Sequence, residues 1–247
     1  MTQIIQEYNK FLWDFANKYD TQDSNIIRKI IHSYDVAKCC YKISCHLQLN
    51  ERERYFCYLI GLLHDLGRLE QWKIYNTYND IISVDHGLLS FEILNKIDCK
   101  NLFYLTDNEV EILKYSIKHH TKPYTGKNEK ILFFNDILIN ADTFSNVLTI
   151  ANGAIQMTVE KNGFTKELLE DFLNQKLLIE YSPNTKLDRC LMLMACCYYV
   201  KLPFLREEIL NCNYIDIIYE TFSKYLNKND KEVFLQAKNT LKKNYLK

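Results

Sequence analysis

Seven side chains in the first 142 residues have the chemistry to hold metal ions. They are His32, the adjacent pair His64-Asp65, His86, the adjacent pair His119-His120, and Asp142. His64-Asp65 closes the apolar stretch that starts at Ile60, and Asp142 follows the apolar positions Ile131, Leu132, Phe134, Ile137, Leu138 and Ala141. Groups this polar are costly to leave unpaired against a core. Any one of them alone reads as a hydrogen-bonded core residue; seven of them, at spacings that can converge, read as a site. Imidazoles and carboxylates without a thiolate suit iron, manganese, zinc, nickel or magnesium better than a cysteine-type structural zinc.

Such a site requires rigid helices. After an amphipathic helix over about 3–19, a second helix starts after Asp23 or Ser24, either of which can cap it, and runs to about Leu47 carrying His32. A third is capped by Asn50 and runs to His64-Asp65, with Gly67 as its stop. His32 lies 17 residues before a turn near Leu49 and His64 lies 15 after it. In an antiparallel hairpin the two then differ in height by only ~3 Å, at ~1.5 Å per residue.

Residues 71–83 lose this periodicity and read as a loop rich in aromatic and amide groups. Helices resume near Val84-Asp85-His86 and after Thr106-Asp-Asn-Glu109, which has the form of a capping box. This second hairpin has its midpoint near Leu102, with His86 16 residues before and His119 17 after, so it repeats the geometry of the first. Neighbouring histidines on a helix point about 100° apart, so one of His119 and His120 can ligate while the other faces elsewhere. A helix from Glu129 carries Asp142, and further helices are expected over about 165–180, 187–201, 206–226 and 229–245. His46 lies ~21 Å along the axis from His32 and falls outside the set.

Composition narrows the class. Six glycines and three prolines in 247 residues favour an all-α chain. Lys and Arg balance Asp and Glu at 31 each, which argues against a general nucleic-acid binder. The nine cysteines form no Cys-x-x-Cys motif and read as reduced. No signal peptide and no run of ~18 apolar residues is evident, so a cytoplasmic protein with no membrane partner is expected.

The order His32, His64-Asp65, Asp142, the last within Asn140-Ala-Asp142, resembles the HD superfamily of metal-dependent phosphohydrolases over about residues 24–150. His86 and His119-His120 fall where its dinuclear members, including the HD-GYP phosphodiesterases, supply ligands for a second metal. The Gly-Tyr-Pro signature itself is absent, since Thr121-Lys-Pro-Tyr124 follows the histidine pair, and Arg28 stands where HD-GYP proteins carry a Glu.

The resemblance implies an HD-like helical bundle with a metal-binding core at about 24–150; no linker separates the rest, so a single helical domain over 1–247 with a C-terminal helical extension at about 151–247 is expected. It implies two divalent transition metals, iron or manganese before zinc, nickel or magnesium. His32, His64, Asp65 and Asp142 would hold one; Asp65 would bridge to a second held by His86 and His119 or His120. Arg68, four residues after His64, corresponds to a Lys of many HD hydrolases and would meet substrate phosphate, with Lys122, Arg28 and Lys118 as weaker versions of the same idea. Asp65 and Arg68 are then the catalytic pair. The implied reaction is hydrolysis of a nucleotide or other small phosphoester by a metal-activated bridging water. A diiron HD-fold oxygenase and a non-catalytic nucleotide-binding or interaction module are the alternatives, and homo-oligomerisation is left open.

Overall fold

The structure, a computed structural model, describes residues 2–122, 124–178 and 181–245. It is all-α, with no strand among the described residues. Two compact units result, one ending at Asp142 and one starting at Thr143, where the sequence suggested a core to about 150 and an extension after it.

The first unit starts with α1 (Gln3–Ala16), three residues shorter than expected, and α2 (Ser24–His46). Asp23 caps α2 by accepting from the Asn25 N–H. The third helix, α3 (Glu51–Leu63), starts in a reciprocal capping box between Asn50 and Glu53. α2 and α3 pair as the expected hairpin, burying Ile30, Val36, Ala37, Cys40 and Ile43 against Leu59, Leu62 and Leu63. Gly61 makes their close approach achievable, because a Cβ there would lie 2.8 Å from the Ala37 Cα.

The chain does not stop at Gly67. After a two-residue break at His64-Asp65, where Asp65 has φ −104° and ψ 19°, α4 (Leu66–Tyr75) resumes at once. Gly67 lies inside α4 because α5 (His86–Asn95) crosses it: a Cβ would sit 2.4 Å from the His86 carbonyl oxygen and 2.7 Å from the Ser90 nitrogen. Helix therefore occupies the first part of the expected 71–83 loop, and the true connection begins at Asn76, a left-handed cap at φ 50°. Asp85 caps α5 by accepting from the N–H groups of Gly87 and Leu88.

A single turn, α6 (Cys99–Leu102), leads to α7 (Asp107–Lys118), whose Thr106–Glu109 capping box makes both expected bonds. The unit ends at Asp142 within α8 (Glu129–Ala151), which Asn128 caps through the N–H groups of Lys130 and Ile131.

In the second unit α9 (Lys166–Leu173) ends well before 180, and residues 179 and 180 of the expected helix lie outside the described residues. It is followed by α10 (Lys186–Tyr199). The helix expected over 206–226 is two, α11 (Pro203–Asn211) and α12 (Tyr214–Ser223), broken where Asn213 takes φ 56°. α13 (Lys228–Tyr245) closes the chain, and Phe172, Phe222, Phe234, Leu191 and Met194 fill this core. No helix among the described residues is long and apolar enough to cross a membrane.

Candidate metal centre

α2, the α3–α4 break, the start of α5, the end of α7 and α8 bring six of the seven side chains together. The ring centroids of His32 and His64 lie 5.3 Å apart, as the equal heights in the hairpin require. His32 Nε2 is 2.9 Å from Asp142 Oδ1 and 3.9 Å from Asp65 Oδ2, while His64 Nε2 is 3.6 Å from Asp65 Oδ2 and 3.9 Å from Asp142 Oδ1. On the other side of Asp65, His86 Nε2 and His120 Nε2 lie 3.5 and 3.9 Å from Oδ1 and 3.0 Å from each other. Two groups of donors result, one on each oxygen of Asp65.

Hydrogen bonds fix which nitrogen of each ring is free. His64 Nδ1 lies 2.7 Å from the Gly61 carbonyl and His120 Nδ1 lies 2.6 Å from that of Ile117. His86 Nδ1 lies 2.6 Å from Asp80 Oδ2. All three acceptors are oxygens, so each Nδ1 carries the proton and each Nε2 presents a lone pair. Burial pushes the pKa of all three rings down, that of His86 to about 4, so the rings are neutral at pH 7. His86 and His120 thus face each other with two lone pairs and no proton between them. His64 Nε2 and Asp65 Oδ1 are buried with no hydrogen-bond partner among the described residues. An arrangement that repels itself and leaves buried acceptors unmet fits a bound cation.

The carboxylates are kept charged. Burial would raise the pKa of Asp65, yet Lys29, His64, His86 and Arg68 hold it well below the usual range. Asp142 is likewise held low against its burial, chiefly by His32. His32, His64 and Asp142 form one potential ligand set and His64, Asp65 and His120 another.

His119, the seventh residue, is in neither set. Its ring stacks on Tyr115 at 6.3 Å and meets Tyr124 edge-on at 5.1 Å, while the chain leaves the helix at His119 and turns His120 inward. Lys122, expected at the substrate, is instead 73% exposed and held by the capping carboxylate of Asp85 at 2.8 Å. Lys118 lies over the rings of Phe91 and Tyr115. Arg68 does reach the site, with Nε 3.8 Å from Asp65 Oδ1. Its Nη1 donates to Asp80 Oδ1, Gln71 Oε1 and the Tyr78 carbonyl at 2.7, 2.8 and 2.6 Å.

Two residues escaped the sequence reading. Lys29 donates to Asp65 Oδ2 at 2.8 Å; it sits three residues before His32 on α2, and that one-turn spacing was the available signal. Asp80 joins His86 to Arg68 from an aperiodic segment, and nothing local marks it. Gln71, fully buried, holds that segment by donating to Asp80 Oδ1, Ser83 Oγ and the Val84 carbonyl. Burial would raise the Asp80 pKa, but the bond to His86 and the charge of Arg68 bring it down to about 2.

This helical frame and its paired His/Asp donors are those of an HD-type metal-binding protein. A family model described as HD domain matches residues 30–194, two thirds of the chain, and the chain belongs to the HD domain family. Most members are metal-dependent phosphohydrolases, and HD domains bind divalent metals. No curated protein and no solved structure gives a significant match.

Proposed function

We propose that the chain is a metal-dependent phosphohydrolase or phosphodiesterase acting on a nucleotide or another small phosphoester. The observation that carries this reading is the set of three neutral imidazoles whose Nε2 lone pairs converge on the two oxygens of one buried carboxylate. In this reading His32, His64, Asp65 and Asp142 hold one divalent ion, and Asp65, His86 and His120 hold a second, with His119 left out. Such ions, iron or manganese by donor type, lower the pKa of water and offset phosphoryl charge.

The protein's own groups do the rest. Asp80 and the Gly61 and Ile117 carbonyls keep the rings in the tautomer that leaves Nε2 free. Leu63, Leu66 and the other apolar neighbours of the break exclude water, which strengthens every charge interaction inside. Arg68 flanks Asp65 and supplies positive charge where the phosphoryl oxygens gather during displacement, while Lys29 keeps the Asp65 carboxylate charged.

The test is an anaerobic assay of the purified chain over a panel of phosphoesters with added manganese or iron. Release of phosphate or nucleotide without oxygen is expected. Product that forms only with oxygen would replace this reading with an oxygenase. A metal-loaded protein inert under both conditions would make it a binding module.

A further inference from the structure

Three cationic side chains gather around Tyr78. The Arg28 Cζ, the Lys29 Nζ and the Arg68 Cζ lie 5.3, 5.4 and 5.8 Å from its ring centroid. The ring is fixed: its hydroxyl donates to the Asn25 carbonyl at 2.9 Å, and Trp72 packs on it at 4.9 Å. Lys29 is paired with Asp65 and Arg68 with Asp80. Arg28 is exposed and has no ion-pair or hydrogen-bond partner among the described residues. Asp23, whose charge is felt at Tyr78, is committed to the Asn25 N–H and the Trp72 indole. Of the three cations, Arg28 alone lacks a direct ion pair among the described residues.

Arg28 and Lys29 are neighbours on α2, so the positive charge runs from the Asp65 carboxylate outward to solvent. A guanidinium laid over an aromatic ring keeps its N–H edge free, in a fork that matches an oxyanion. Lys29 has three donors, and Asp65 accepts one.

We propose that Arg28 and Lys29 bind a second, non-reacting oxyanion of the substrate, phosphoryl or carboxylate. The substrate is then a small molecule with two anionic groups, one at the metal centre and one at the Tyr78 edge. This rests on the metal-centre reading above, which places the reacting group at Asp65.

The full chain, as purified and with its metal content measured, is titrated calorimetrically with inorganic phosphate and with pyrophosphate. Wild type is expected to bind pyrophosphate about ten-fold or more tightly than phosphate, as an added charge-assisted contact implies. Arg28→Gln removes that preference and Arg28→Lys retains part of it, both with unchanged metal content. Lys29→Met weakens binding of both anions. In turnover, Arg28→Gln raises KM for doubly anionic phosphoesters with kcat held, and leaves singly anionic esters unchanged. Pyrophosphate binding to Arg28→Gln as tight as to wild type would overturn the proposal, as would a wild type with no preference. A chain without metal that still shows the Arg28-dependent preference would instead overturn the metal reading and leave the anion site standing.

Discussion

Asp65 in the first unit and Asp188 in the second are both almost fully buried, at 3% and 0% exposed. Asp188 is satisfied by the protein itself. Its Oδ1 accepts from the Thr165 N–H at 2.7 Å, and its Oδ2 accepts from the Thr165 hydroxyl and the N–H groups of Thr185 and Asn184 at 2.9, 3.1 and 3.3 Å. It also completes a capping box with Thr185 at the start of α10. Asp65 has one oxygen on Lys29, while the other is buried with no hydrogen-bond donor among the described residues and faces imidazole lone pairs, with Arg68 Nε 3.8 Å away. Burial is therefore no mark of a site. A buried charge whose hydrogen bonds do not add up is.

The contrast can be broken in four ways. Asp65→Ala should lower turnover at least about 10³-fold, because it removes the carboxylate shared by both donor groups; hydrolysis within ten-fold of wild type would put the chemistry elsewhere. Asp188→Ala should instead cost roughly 2–4 kcal/mol of stability by stranding several buried donors, with metal content unchanged. Denaturant unfolding checks the first part and elemental analysis the second. Asp80→Ala should fall between the two, weakening metal binding by about 10–100-fold at the His86 side while the His32 side keeps its ion. A metal titration of the apo-protein resolving two affinities would show whether only one moves.

The smallest effect concerns a carboxylate held at the surface. The bidentate bond from Arg52 and the bonds within the Thr106 capping box bring the Glu109 pKa from 4.5 down to about 2. A depressed folded-state pKa gives stability that is fully present above pH 4.5 and is lost as pH falls toward 2. Glu109→Gln should flatten that part of the stability profile, and an unchanged acid limb would show that the pair contributes nothing.

Helical rise explains why the opposition of His32 and His64 was readable in the sequence, since it converts residue counts into heights. Asn50 and Thr106 were readable as caps for similarly local reasons. Which of His119 and His120 turns inward depends on how the chain leaves α7 after Lys118, which residue counts do not supply. Gly67 misled because a glycine after an apolar helix looks like a terminator; its absent side chain instead makes room for α5, a tertiary fact. Asp80 was invisible because its partners, Gln71, Arg68 and His86, meet only once the chain after α4 has folded back.

The most direct test of the centre is the metal content of the full chain after exhaustive dialysis, with wild type and the Asp65→Ala and Asp188→Ala variants side by side. Two transition-metal ions per wild-type chain, the same in Asp188→Ala and none in Asp65→Ala, is the predicted result. Full metal retention in Asp65→Ala would contradict it.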